Sequence, residues 1–428
     1  MTIRSRFGAL QEPQFRLLWL GRTASSIGDS LIPVALAFAV IEETGSATDL
    51  GFVLASYSVA RVLLILVGGV WADRLPRRLV LLAAQAVRAV SQGTIAVLLI
   101  TGVAEIWHLA AAAAISGAAE AFFRPASTGF VPDTVSSGRL QEANALIGVS
   151  DSATWLFGPA VSGVLVAAFG PGWVFAIDAA SFAGGAAFLL AMRVAQHAPG
   201  ERQPFLRDVV DGLREIATRR WLSPSLVSFA LGNVALATYF VLGPLVAERE
   251  LGGPRGWGLA LAGGAVGGLA GSVLALRYKP ARPLLVGNLF MLLEAAALIA
   301  LIPPLPTIGL VLAAALTFAA ITFFNAMWDT VLQEHIPRQA LSRVSALDAV
   351  VSFVFMPLGF AIAGPLSAEI GIDATLAAAA ALAFGAMLFP LCFASVRRLE
   401  RAPATRSPLP AFDSAGELPA QAPRGQLP

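Results

Sequence analysis

GGVWADRLPRRLVLL, residues 68–82, decides how this chain folds. An apolar stretch runs into Asp73 and then Arg74, Arg77 and Arg78, and returns at once to apolar residues. The cluster reads as a short aqueous connection between two bilayer-crossing helices, because arginines stay at the membrane boundary while the segments on either side enter it. The totals agree. Of 428 residues 57% are hydrophobic and only 13% are charged, too little charge to cover a water-soluble surface of that size. A net charge of +2 gives no basic face for nucleic acid. Cys392 is the sole cysteine, which excludes an internal disulfide and a cysteine-cluster metal site.

Working outward, apolar runs of about 20 residues or more recur along the chain, each enough to cross a bilayer. Twelve helices are predicted, over 15–41, 49–71, 78–101, 105–130, 141–169, 172–194, 223–247, 256–277, 282–302, 306–333, 342–369 and 373–396. The expected fold class is an all-α polytopic membrane protein with twelve transmembrane helices in two six-helix halves. Residues 1–14 lack an apolar core and a small-residue cleavage site and read as a cytoplasmic N-terminus, not a cleaved signal. The halves are 15–194 and 223–396, joined by a linker over 195–222. Within the linker, Leu206, Val209, Val210, Leu213 and Ile216 share one helical face, so an amphipathic helix on the inner membrane surface is expected. Residues 397–428 are rich in Pro and Ala without periodicity and are expected to be a disordered tail.

Arginines collect on alternate connections, including Arg74, Arg77, Arg78, Arg139, Arg219, Arg220, Arg277 and Arg282, and near both termini. The opposite connections hold Arg249 and Arg255 among Glu42, Glu43, Asp49, Glu248 and Glu250. The positive-inside rule then places both termini in the cytoplasm of a prokaryotic cell. The halves also repeat. A shift of 201 positions carries Gly158, Gly163 and Gly170 onto Gly359, Gly364 and Gly371 without a gap. Six-helix parallel repeats of this kind build many secondary transporters.

At this point a family resemblance is visible. Gly69, Asp73, Arg74, Arg77 and Arg78 match most of the loop signature G-x-x-x-D-R-x-G-R-R of the major facilitator superfamily, with Pro76 in place of its second glycine. The segment FFRPASTGFVPDTVSSGRLQEANAL resembles the helix 4–5 junction of the drug:proton antiporter branch that includes macrolide and enterobactin exporters. WLFGPAVSG, with Gly158, Pro159 and Gly163, looks like the antiporter signature of helix 5. The resemblance implies that Asp73 faces the N-terminal end of helix 11, and that an arginine of the loop pairs with a carboxylate below helix 4. Asp133 is the candidate, with Arg77 opposite it, and together these residues would form a cytoplasmic latch between alternate states. It further implies that helices 1, 4, 7 and 10 line a central cavity. Candidate cavity residues on them are Arg22, Glu120, Arg124, Asn233, Tyr239, Asn325 and Trp328, and the proton-coupling candidates are Asp29 and Asp329.

Each buried ionisable side chain costs about 2.5–3.5 kcal/mol on insertion scales and so calls for a reason. Glu120 and Arg124 stand at i, i+4 and read either as a self-neutralising pair or as a substrate site. Asp29 has no cation within one turn of its own helix, which makes it the preferred proton site. Arg61, Asp151 and Asp348 read as interhelical contacts, and the glycines of helix 8 (Gly263, Gly264, Gly267, Gly268, Gly271) as close helix packing. Glu294, mid-helix 9, falls where the family fold faces lipid; a protonated side chain or an unexpected packing partner for helix 9 would each account for it. The expected function is proton-coupled efflux of an amphipathic small molecule, a drug, macrolide-like compound or siderophore. A lysophospholipid transporter on the same scaffold and a transport-inactive membrane sensor are the alternatives. No catalytic constellation, metal cluster or cofactor loop is present in the sequence, so no enzyme activity and no cofactor are expected. The expected partners are a small-molecule substrate, protons and the lipid bilayer, with no nucleic acid, and the chain is expected to act as a monomer.

Overall fold

A computed structural model describes residues 8–72, 75–193, 214, 218–337, 344, 347, 348 and 350–401, with backbone alone at 66–72 and 137. Asp73 and Arg74 of the loop, most of the amphipathic linker helix (194–213 and 215–217), and the tail beyond Arg401 lie outside these residues. Among the described residues the secondary structure is helical and no β-strand occurs. The long helices are α1 (Pro13–Thr44), α2 (Ala47–Ala72), α3 (Arg77–Thr101), α4 (Ile106–Phe130), α5 (Leu140–Phe169) and α6 (Pro171–Ala191). The second set is α7 (Leu222–Glu250), α8 (Pro254–Arg277), α9 (Pro283–Ile299, interrupted by a 3-10 turn at Leu292–Ala295), α10 (Thr307–His335), α11 (Met356–Ile370) and α12 (Ile372–Leu388). Eleven of the twelve are long and apolar enough to cross a membrane, the segment Val350–Ile370 being counted with α11; α9 is the shorter one.

Local chemistry sets the boundaries. Pro13, Pro171, Pro254 and Pro283 each open a helix, where the missing N–H is no loss. Gly45 and Gly102 close α1 and α3 in the left-handed conformation, φ 63° and 70°. Gly170 and Gly371, matched by the repeat, separate α5 from α6 and α11 from α12 with nearly identical backbones, φ 83°, ψ 164° and φ 91°, ψ 159°.

The same repeat governs packing. In the first half α1 packs on α5 and α6, α2 on α4, and α3 on α4 and α6. In the second, α7 packs on α11 and α12, α8 on α10, and α9 on α10 and α12. The halves meet where α5 crosses α8 and α2 crosses α11, again a symmetric pair. Glycine permits both crossings. A Cβ on Gly163 would collide with the Pro254 carbonyl at the start of α8, and one on Gly364 with the Thr48 backbone at the start of α2. Within the second half, Gly267 and Gly271 of α8 abut the carbonyls of Ala315 and Ala319 on α10, the close approach that the small-residue series predicts.

Three hydrophobic cores result. One is shared by both halves and includes Leu31, Phe38, Leu50, Tyr239, Trp257 and Phe360, at the end where α1 joins α2 and α7 joins α8. At the arginine-rich end each half keeps its own core. Phe15, Leu18, Phe130 and Ile147 belong to the first, and Trp221, Leu226, Trp328 and Val331 to the second. The halves are therefore sealed together at one end and separately packed at the other. Leu63, Val90, Val149 and Leu276 are each more than two-thirds exposed, a belt suited to lipid and not to water.

Candidate functional site

The polar interior of the first half is organised by Arg88, a residue the sequence reading passed over. It lies on the buried stripe of α3 with Gln85 and Gln92 and is 5% exposed. Its guanidinium ion-pairs with Asp29 of α1 and lies 3.6 Å from Glu120 of α4. The aliphatic stem and charge are backed by the Phe182 ring of α6, 4.1 Å from the guanidinium carbon. Asp178, also on α6 and completely buried, stands within electrostatic reach of Asp29 and Arg88. Its Oδ1 accepts the Ser181 hydroxyl at 3.4 Å, and its Oδ2 has no partner. Two carboxylates thus share one arginine, and a third lies on the adjoining helix. The signal was present in the sequence: Gln85, Arg88 and Gln92 recur at helical spacing through an otherwise apolar run.

Helix packing decides two readings here. Asp29 has no cation within one turn of its own helix, but packing brings Arg88 to it from another helix. Glu120 turns to Arg88 and not to Arg124, its i+4 neighbour; Arg124 is exposed and no ion pair links the two. Long side chains on a helix reach in different directions, so spacing alone did not decide the partner.

A second polar link lies beside the first. Arg22 Nη2 donates to Asp151 at 2.8 Å and Nη1 to Ser127 at 2.9 Å, tying α1 to α5 and α4. The Ser26 hydroxyl donates to the other oxygen of Asp151 at 3.1 Å. Asp151 therefore makes the interhelical contact expected of it, and so does Asp348, which accepts the Trp328 indole N–H at 2.8 Å.

The second half places its candidates differently. Asn233 donates to the Ser352 carbonyl at 3.1 Å and links α7 to the segment leading into α11. Asn325 and Asp329 are exposed on α10. Trp328 is 4% exposed, its ring edge-on to Phe229 and Trp221. Tyr239 is fully buried against Trp257 in the shared core, so it forms part of the seal and not of an open wall. Glu294 is the larger surprise. It faces the bundle interior and not lipid, 4% exposed, with Oε2 unpartnered.

At the arginine-rich end, Arg77 Nη1 donates to the Gly129 carbonyl at 2.6 Å and sits 3.4 Å from Asp133 Oδ2. Arg78 donates to the carbonyls of Leu189 and Leu190, both at 2.9 Å, capping the end of α6. These contacts stay within the first half. Gly69 lies in the last turn of α2, and Gly158 and Pro159 lie inside α5, where Gly158 abuts Ser30 of α1.

The comparisons with known proteins agree with this architecture. The chain is 27% identical over 386 residues to the multidrug efflux pump Tap of Mycolicibacterium fortuitum, covering 86% of this chain and 92% of that protein. It is 22% identical over 375 residues to macrolide efflux protein A of Streptococcus pyogenes, covering 84% and 91%. Among solved structures, a bacterial homologue of the human lysosomal transporter Spinster superposes with a TM-score of 0.71 at 15% identity, covering 91% of this chain and 98% of that one. The nucleoside transporter NupG gives 0.68 at 15% identity, covering 90% and 100%. With residues 18–355, from α1 to the segment leading into α11, matching the family model of the Major Facilitator Superfamily, the chain belongs to that superfamily of transporters.

Proposed function

We propose that this transporter exports amphipathic small molecules bearing a cationic or polar group, in exchange for protons, across a bacterial cytoplasmic membrane with both termini inside. The observation that carries this reading is the pairing of both Asp29 and Glu120 with Arg88. One guanidinium cannot neutralise two carboxylates, and unpaired charge in a low-dielectric interior is costly. Protonation and substrate binding then compete through a shared partner. With Asp29 ionised, Arg88 is shared between Asp29 and Glu120, so Glu120 keeps negative charge to meet a cationic group of the substrate. A proton arriving on Asp29 from outside releases Arg88 towards Glu120, which displaces the substrate. Loss of the proton to the inside resets the site. Asp329, exposed on α10, is the reserve candidate for the proton.

The separate cores at the arginine-rich end and the shared core at the other support an inward-open state in this orientation. Arg77 and Asp133, with Asp73 on the same loop, are then the natural material for a latch that closes the inner end. The relatives named as efflux pumps support the direction. The test uses inverted membrane vesicles from cells expressing the chain, energised to an acidic interior, with ethidium as probe. Ethidium accumulates and leaves again when nigericin collapses the pH gradient. Accumulation unaffected by nigericin, or found only for a lysophospholipid probe, would overturn the proposal.

A further inference from the structure

Glu294 has no place in the scheme above, and its surroundings are built in a particular way. The Thr317 hydroxyl of α10 is inserted into the hydrogen-bond ladder of α9. It accepts the Ala297 N–H at 3.1 Å and lies 3.1 Å from the Leu293 carbonyl, the group that this N–H would otherwise reach directly. The insertion explains why α9 narrows to a 3-10 turn at Leu292–Ala295. Glu294 projects from that turn towards α7. There Gly232 leaves just enough room: a Cβ on it would lie 3.2 Å and 3.4 Å from the two carboxyl oxygens and 2.7 Å from the Met387 methyl of α12.

Charged groups on the packed elements lie elsewhere. On α7 they are Glu248, Arg249 and Glu250 in the last turns, and on α12 Asp373 in the first turn. On α10 they are Asp329, Glu334 and His335 near its end, more than two turns beyond Thr317. Arg282 precedes the first turn of α9. None of them neutralises the carboxylate, and Gly232 and Met387 pack close to it from α7 and α12. A proton is the ligand that fits. It can come and go only when α7 draws away from α9 and α12, and the interrupted ladder gives α9 a place to yield.

We propose that Glu294 is a second proton-exchange site, housed in the C-terminal half and opened by movement of α7. It rests on the proton-antiport reading for its transport role but not for its protonation, so the two are tested separately. Infrared difference spectra between acid and alkaline buffer, on the full chain in lipid, report carboxyl groups that exchange a proton. The parent should show a carbonyl-stretch band that Glu294→Gln removes and Asp29→Asn leaves in place. Gly232→Ala, which presses a methyl on the carboxyl, should shift the same band without removing an acid, and so serves if the glutamine variant fails to fold. In proteoliposomes with ethidium, Glu294→Gln should lower the number of protons exchanged per ethidium by about one, while Asp29→Asn, which removes the competition with substrate at Arg88, should abolish gradient-driven accumulation. A difference spectrum unchanged by both Glu294→Gln and Gly232→Ala would overturn the proposal, whatever the transport result. If the parent itself shows no pH-driven ethidium movement, the antiport reading falls while the spectra still decide Glu294.

Discussion

Arg88 shows what a residue can and cannot disclose about itself. Its helical stripe with Gln85 and Gln92 is written in α3, but its partners Asp29 and Glu120 stand on α1 and α4. Sequence spacing sees pairs on one helix and not pairs made by packing, which is why no cation was visible beside Asp29 on its own helix and Arg124 was the one partner that spacing offered Glu120. Exchange of Asp29 for Asn should abolish gradient-driven ethidium accumulation yet preserve counterflow, because the cavity persists and only the proton is lost. Glu120→Gln should instead raise the concentration of ethidium giving half-maximal counterflow. An Asp29→Asn variant that accumulates ethidium like the parent would move the proton site to Asp329. Truncation of Arg88 acts on stability as well: Arg88→Ala leaves buried carboxylates without their cation and should destabilise the protein by about 3 kcal/mol. Thermal unfolding in detergent measures this, and Asp29→Asn in the same chain should recover part of the loss. Arg77→Ala and Asp133→Ala, whose side chains meet at 3.4 Å, should combine non-additively by about 0.5 kcal/mol in stability or transport. Additive losses would mean that the two act independently.

Elements were the most legible scale. Each of the twelve apolar runs holds a helix among the described residues, but that of α9 is short and interrupted, and α11, expected from 342, runs from Met356 to Ile370. The glycines at 158, 163 and 170 mark the same boundaries and crossings as those at 359, 364 and 371. The 3-10 turn of α9 was not legible, since its cause is the Thr317 side chain of α10. Glycine also predicts opposite outcomes for one substitution. At Gly267 a side chain would enter the space of the Ala315 carbonyl, so Gly267→Val should part α8 from α10 at a cost of about 1–3 kcal/mol or more. At Gly184 of α6 and Gly385 of α12, paired by the same 201-residue shift, a Cβ meets nothing within 4 Å. Alanine there should stabilise by about 0.5–1 kcal/mol each, because a helix interior prefers it to glycine. Melting temperatures of the three variants check the signs; a rise for Gly267→Val would contradict the packing described for α8 and α10.

At the scale of the whole molecule, charge placement carries the proposed orientation, and the three cores show which end joins the halves and which end packs them separately. The first was legible in the arginines. The second was not, because both ends are apolar in composition and only packing tells them apart. Orientation is tested with single cysteines in a Cys392→Ser background and an impermeant thiol reagent on intact cells. Glu43→Cys and Glu250→Cys should label, while Gly138→Cys and Glu400→Cys should stay protected; the reverse pattern would invert the membrane topology. The division into three cores also bears on synthesis. Every member of the first half's own core lies between Ala9 and Met192, so that core can close while the rest of the chain is still on the ribosome. The shared core cannot, since Tyr239, Trp257 and Phe360 come later. Until they arrive, Leu31, Phe38 and Leu50 present an apolar wall that only lipid or a chaperone can cover. Biogenesis therefore has a vulnerable interval that begins when α6 is inserted and ends when α11 docks on α2, and membrane quality control has its longest opportunity within it.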